Sequence, residues 1–201
     1  MLKKTIILLG LFYGQIILAQ QYCSIENAQQ FQQQLTNKFA DSLQSPLKKK
    51  DLQFFKALNF YPVNLNFCVE AIFKRTPNEK PFKMKTTTNR APLYIKYGEV
   101  TFQIKGKSCT LAVYQNIELA VEEAYKNDLF LPFVDLSSGD ESYGGGRYID
   151  LKIPQSGTIM IDFNRAYNPY CAYNERYSCP IPPQENFIDV AILAGVKKFH
   201  D

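Results

Sequence analysis

The sequence predicts a mostly β protein, an antiparallel sandwich or partly closed barrel preceded by one N-terminal helix. Three observations carry this. A helical period occurs near the start, at 24–43. From Asn64 onward, apolar residues recur at every second position in short runs. Gly and Pro punctuate the gaps between those runs, and no repeat, low-complexity tract or linker divides the chain.

Before the helix comes a different kind of segment. Lys3 and Lys4 give a positive start, and residues 5–19 carry no charge and are mostly apolar. A charged start, an apolar run and a small residue before a polar segment read as a secretory signal, with cleavage after Ala19 and a new terminus at Gln20. A membrane helix would need about 20 apolar residues, and this run stops short in a glutamine-rich stretch. A lipid anchor at Cys23 is disfavoured by bulky Tyr22 before it. The expected organisation is signal peptide 1–19, helix 20–45 and one β-rich domain 46–201. The mature chain is expected to be exported, periplasmic or secreted, with no transmembrane segment. Removing 19 of the 201 residues leaves 182, which suits one domain with a real core.

Each element has its signal. Ser24 can cap a helix in which Ala28, Phe31, Leu35 and Phe39 share a face, and Ser45-Pro46 ends it. Leu52, Phe54, Phe55 and Leu58 form a cluster of ambiguous period. Leu65, Phe67, Val69, Ala71 and Phe73 alternate with polar neighbours, so 65–73 reads as a strand with these residues inward. Phe82, Met84 and Thr86 suggest another. Val100, Phe102 and Ile104, a turn at Lys105-Gly106-Lys107, and Cys109, Leu111 and Val113 read as a hairpin. A short helix is expected at 117–127, then strands at 129–134, 146–153, 158–163 and 187–194.

Charge excludes one class of partner. The whole chain has 23 basic and 19 acidic residues, and loss of Lys3 and Lys4 lowers the net charge from +4 to +2. A nearly neutral chain lacks the field of a nucleic-acid binder. Lys48-Lys49-Lys50 is the one basic run and reads as a solvated loop. The single histidine, His200, lies far from the other polar clusters. Ser-His-Asp and Cys-His catalysis therefore lack their usual base, and histidine-ligated zinc is disfavoured. No cofactor or metal is expected. A carboxylate calcium site at Asp135, Asp140 and Glu141 has no EF-hand spacing behind it, and an ordinary acidic loop explains these residues. Gly144-Gly145-Gly146 is not followed by Lys-Ser/Thr or by a helix, so it reads as a tight turn rather than a phosphate loop.

Polar and aromatic residues concentrate in the last third: Phe133-Val134-Asp135, Tyr143-Gly144-Gly145-Gly146-Arg147-Tyr148, Asp162-Phe163-Asn164-Arg165-Ala166-Tyr167-Asn168-Pro169, Cys171-Ala172, and Cys179-Pro180-Ile181-Pro182-Pro183 with Glu185 and Asn186. These segments, over about residues 45–198, resemble the bacterial domain-of-unknown-function family 1684. Its hallmarks are a strand ending in Phe-x-Asp, a Gly-rich Tyr/Arg turn, the Asp-Phe-Asn-Arg-Ala-x-Asn-Pro segment and Cys-Pro-x-Pro-Pro. The chain departs at Ser137, where a threonine is expected, and at Val196, where an acid is expected. The resemblance implies no activity.

Five cysteines occur, at 23, 68, 109, 171 and 179, and an exported chain can bond them. Cys171 and Cys179, in a Pro- and Tyr-rich loop without a Cys-x-x-Cys motif, read as a disulfide staple. The odd count leaves at least one thiol outside the chain's own bonds. Asp162 ends an apolar strand and needs a partner, for which Arg147 is the candidate; Arg165 could serve Asp135 or Glu185. Such residues form either an internal salt-bridge network or an anion-gripping pocket. The candidate ligand residues are Asp135, Tyr143, Arg147, Asp162, Asn164, Arg165, Asn168 and Glu185, with Tyr148, Tyr167, Tyr170, Tyr173 and Tyr177 as further walls. The expected function is a module binding a small molecule or surface ligand. The alternative is a hydrolase using Asp135, Asp162 or Glu185, with Arg147 or Arg165 stabilising charge. A thiol oxidoreductase at Cys171 and Cys179 ranks last.

Overall fold

Ser24 starts the first element. In the computed structural model, which describes residues 23–200, its side chain accepts from the Asn27 N–H at 3.0 Å and caps α1 (Ile25–Ala40). The signal-peptide expectation lies outside the described residues. One face of α1 buries Ala28, Thr36 and Phe39, and Phe39 packs edge-on against Tyr170 and Tyr173. The ambiguous 52–58 cluster begins in a single helical turn, α2 (Lys49–Leu52), and its Leu58 joins this aromatic cluster. Cys23 is bonded to Cys68, tying the start of α1 to the first strand.

The strands are β1 (Cys68–Arg75), β2 (Phe82–Lys83), β3 (Leu93–Ile104), β4 (Lys107–Asn116), β5 (Asp128–Asp135), β6 (Arg147–Lys152), β7 (Thr158–Asp162) and β8 (Phe187–Ile188). They form one curled sheet of order β6-β5-β4-β3-β1-β7, a half-barrel, with β2 beside β3. All these pairs are antiparallel except the short β5–β8 pair. The partly closed barrel is therefore the correct member of the expected pair, and no second sheet makes a sandwich among the described residues. The β3–β4 hairpin turns on Lys105 and Gly106, both at positive φ, with Ile104 opposite Lys107. Positive φ at both central residues matches the twist of the flanking strands, and glycine adopts it without strain.

Three expectations are corrected. Residues 65–67 are a 3-10 turn capped by the Asn64 side chain, so Leu65 faces solvent; Phe67 and Ala71 are buried, and Val69 and Phe73 half-buried against the core. The helix expected at 117–127 is a chain of turns. Asn116 caps it, but Leu119, Val121 and Tyr125 are all exposed, so no buried apolar face supports a helix. The strand expected at 187–194 ends at Ile188. Beyond it Val190, Ile192, Ala194 and Val196 still alternate inward, but the segment runs extended without a ladder.

That segment fills the half-barrel. Ile188, Val190, Ile192 and Ala194 pack with Phe102, Leu131, Phe133, Ile149, Ile161 and Phe163 in one cluster. Each large side chain fully buried here contributes roughly 1.5–3 kcal/mol of transfer free energy.

Candidate functional site

The hallmark residues build an interior network. On β6, Arg147, Ile149 and Leu151 point into the core, and the Arg147 guanidinium is wholly buried. It donates to the Asp135 carboxylate at 2.8 Å, to Ile192 O at 2.8 Å and to Ala194 O. The other Asp135 oxygen accepts from Ser137 N–H, Ser137 Oγ and the Ile192 N–H, at 2.8, 2.6 and 3.1 Å. A core segment outside the strand ladder must place its backbone polar groups somewhere; this ion pair receives those of Ile192 and the carbonyl of Ala194, while Val190, Gly195 and Val196 bond to the backbone of Leu136, Tyr61 and Ala166. Gly146, at φ +84°, lets β6 start there: a Cβ would lie 2.5 Å from Phe133 O. The expected pairing of Arg147 with Asp162 is thus corrected, because Arg147 is committed to Asp135 and the 192–194 backbone.

Asp162 belongs to a second network. It caps the 3-10 turn Phe163–Arg165 and accepts from the Asn164 side chain at 2.8 Å. Asn164 in turn holds both backbone groups of Asn64. Burial raises the Asp162 pKa, against these hydrogen bonds and the nearby Arg165 charge. Arg165 lies against the Phe31 ring of α1, 4.9 Å from its centroid, rather than at Asp135 or Glu185. Buried Asn168 donates to Lys197 O. Glu185 accepts from Tyr114 and Lys96 at 2.6 and 2.9 Å; burial opposes its ionisation, but these partners hold it below the ordinary carboxylate range. Asp135, Asp162 and Glu185 therefore do not meet at one open cleft. Among the described residues no group of three His, Cys, Asp or Glu could hold a metal ion, and Asp135 turns away from Asp140 and Glu141 into the core.

Cys171 and Cys179 are unbonded thiols in contact. Cys179 Sγ accepts from the Cys171 N–H at 3.1 Å, and the Tyr143 hydroxyl lies 3.9 Å from Cys171 Sγ. Hydrogen bonds from Cys179 and Tyr143 bring Cys171 down to about 6, while the same contact raises Cys179; burial beside Cys171 lifts Tyr143 to about 12.

The open site lies on the opposite face of the same strands. Because strand side chains alternate, Tyr148 and Asp150 of β6 and Asp128 and Phe130 of β5 face outward where Arg147 and Phe133 face inward. They floor a cleft of about 640 Å³, walled by α1 through Phe31, Gln34, Leu35 and Lys38, and by the 167–180 loop through Tyr167, Tyr170, Tyr177 and Cys179. The rings interlock: Tyr148 meets Phe130 and Tyr167 edge-on at 4.7 and 5.8 Å between centroids. Tyr148 donates to Pro180 O and Tyr167 to Asp150 Oδ1, the latter at 2.8 Å. Asp150 keeps solvent contact through the cleft, yet the surrounding protein raises its pKa, against the Tyr167 hydrogen bond. Asp128 is paired with Lys152.

Of the expected tyrosine walls, Tyr148, Tyr167, Tyr170 and Tyr177 line the cleft, whereas Tyr173 is sealed in the aromatic cluster and Tyr143 stands at the thiols. Asp150, Asp128, Phe130, Tyr94 and Phe31 were missed. The signal was present in the alternation of Arg147, Tyr148, Ile149, Asp150 and Leu151, which separates a core face from a cleft face.

The model of the family described as "Protein of unknown function (DUF1684)" matches residues 53–197, and the chain belongs to that family. No curated protein matches it. Among solved structures, the solution NMR structure of the uncharacterized protein from gene locus rrnAC0354 of Haloarcula marismortui is similar, with 29% identity and a TM-score of 0.68. The match covers 86% of this chain and 92% of that one.

Proposed function

We propose that this member of the family is an exported, non-catalytic module that binds a small molecule or surface ligand in the tyrosine-walled cleft. The observation that carries the reading is the cleft itself. It is concave and largely aromatic, with few polar groups converging on its floor, which is the usual makeup of a ligand site. The interior position of Arg147, Asp135, Asp162 and Asn164 moves the ligand away from the residues the sequence favoured. The expected carboxylate hydrolase gains nothing from that arrangement.

Export is supported by the charged and then apolar start of the chain and by the Cys23–Cys68 bond, which suits an oxidising compartment. Among the described residues no helix is long and apolar enough to cross a membrane. N-terminal sequencing of the protein from its native host should begin at or near Gln20, and an intact Met1 on the folded protein would overturn export. Binding is tested by a fragment screen monitored through amide chemical shifts. Fragments should perturb β5, β6 and the 167–180 loop. Gln34→Trp, which fills the cleft from the exposed side of α1, should abolish those shifts. Shifts that persist in this variant would place binding elsewhere.

A further inference from the structure

The cleft has a charge character as well as a shape. Its described lining contains Asp128 and Asp150 but no arginine, and its one lysine, Lys38, is exposed and sits over the Tyr170 ring, 5.6 Å from the centroid. Asp128 is compensated by Lys152. Asp150 is different: it is flanked by rings and accepts from the Tyr167 hydroxyl at 2.8 Å. A hydroxyl donor supports a carboxylate without cancelling its charge. The faces of Tyr and Phe rings carry negative potential and attract cations, most strongly where water is excluded.

Resting on the binding reading above, we propose that the ligand is an organic cation, a quaternary or protonated amine on a small apolar frame. Its charge sits at Asp150, and its alkyl groups lie against Tyr148, Tyr167 and Phe130. Three features point the same way. An anion would meet the Asp150 carboxylate at the floor, and no arginine among the described residues lines the cleft, Arg165 being stacked on Phe31. A neutral sugar needs donors and acceptors converging on the floor, but the Tyr148 and Tyr167 hydroxyls there are already committed to Pro180 O and Asp150, which leaves it the groups of the walls such as Gln34, Asn116 and Ser178. Asp150 keeps solvent contact, yet the protein packed around it disfavours its ionised form despite the Lys152 and Arg165 charges near it, and an arriving cation relieves that cost.

The test compares choline with 3,3-dimethylbutan-1-ol, its uncharged isostere, and with benzoate, by calorimetry and amide shifts on the full chain. Choline should bind at the cleft at least tenfold more tightly than the alcohol, and benzoate should not bind there. In Asp150→Asn, with an unfolding curve confirming that it is folded, choline affinity should fall to that of the alcohol. Equal binding of choline and alcohol to the wild type would overturn the cation while leaving a ligand cleft. Preference for benzoate, or choline affinity that survives Asp150→Asn, would overturn it as well. If none of the three probes, nor any fragment, shifts the cleft residues, both the cation and the binding reading fall.

Discussion

The two faces of the β5–β6 pair hold carboxylates of opposite fates. Inside, Asp135 has every oxygen engaged and a guanidinium partner, with no route to water. Outside, Asp150 has a hydroxyl donor, aromatic neighbours and an opening. The lesson is that a cluster of charged residues becomes available for chemistry only when something besides the protein must satisfy it. Arg147 and Asp135 are committed to each other and to the 192–194 backbone; Asp150 is left for solvent or a ligand.

The inner pair should break first and hardest. Arg147→Ala or Asp135→Ala leaves a buried charge alone and is expected to cost roughly 3–5 kcal/mol in denaturant unfolding. The double variant should lose less than the sum of the two. Simple additivity would mean the two side chains are not partners. Arg147→Lys should also destabilise, because an ammonium cannot reproduce the planar fork that reaches both the carboxylate and the carbonyls.

The cysteines come next. Removing the Cys23–Cys68 bond, whose ends are 45 positions apart, is expected to cost about 4 kcal/mol in the loop-entropy model. It should loosen the start of α1, read as faster amide exchange there. Protein matured in an oxidising compartment is expected to link Cys171 to Cys179 as well, for roughly 2–3 kcal/mol from the shorter loop. Non-reducing peptide mapping checks this. If both remain alkylatable, Cys171 should react first, at a rate rising as pH passes about 6.

Asp150→Asn should have the smallest effect on stability and the opposite sign. A carboxyl whose pKa is raised by folding contributes stability below its unfolded pKa, which is lost as pH rises through the folded value. At pH 7 the variant should therefore melt at or slightly above the wild type, and near pH 3, with Asp150 protonated, the difference should vanish. A clear loss at pH 7 would place Asp150 in the scaffold with Asp135.

Much of the frame was legible because its signals are local. Ser24 and the Ala28, Phe31, Leu35 and Phe39 spacing define α1, and Lys105-Gly106 defines the tightest hairpin. What failed depends on distant partners. The alternation at 188–196 is that of a strand, but beyond Ile188 a continuous strand neighbour is replaced by scattered backbone contacts and, at Ile192 and Ala194, by the Arg147 side chain from β6. Residues 117–127 lack a surface to pack on, which no local pattern reports. For the site, the tyrosine content of the 167–177 loop marks one wall of the cleft, whereas Arg147 and Asp150 stand on one strand with nothing local to show which of them faces out. A guanidinium next to a glycine turn has the same sequence signature whether it faces a ligand or a carbonyl, and only the strand's facing decides.

The extended segment at 190–196 also bears on the order of events in synthesis. Every strand from β1 to β8 leaves the ribosome before this segment does, and none can seal the half-barrel without it. Until then the inner sheet face stays open and the Arg147 guanidinium lacks its carbonyl partners. Folding should therefore be deferred to an all-or-none step that waits for residues 190–196, leaving the nascent polypeptide threadable until they emerge.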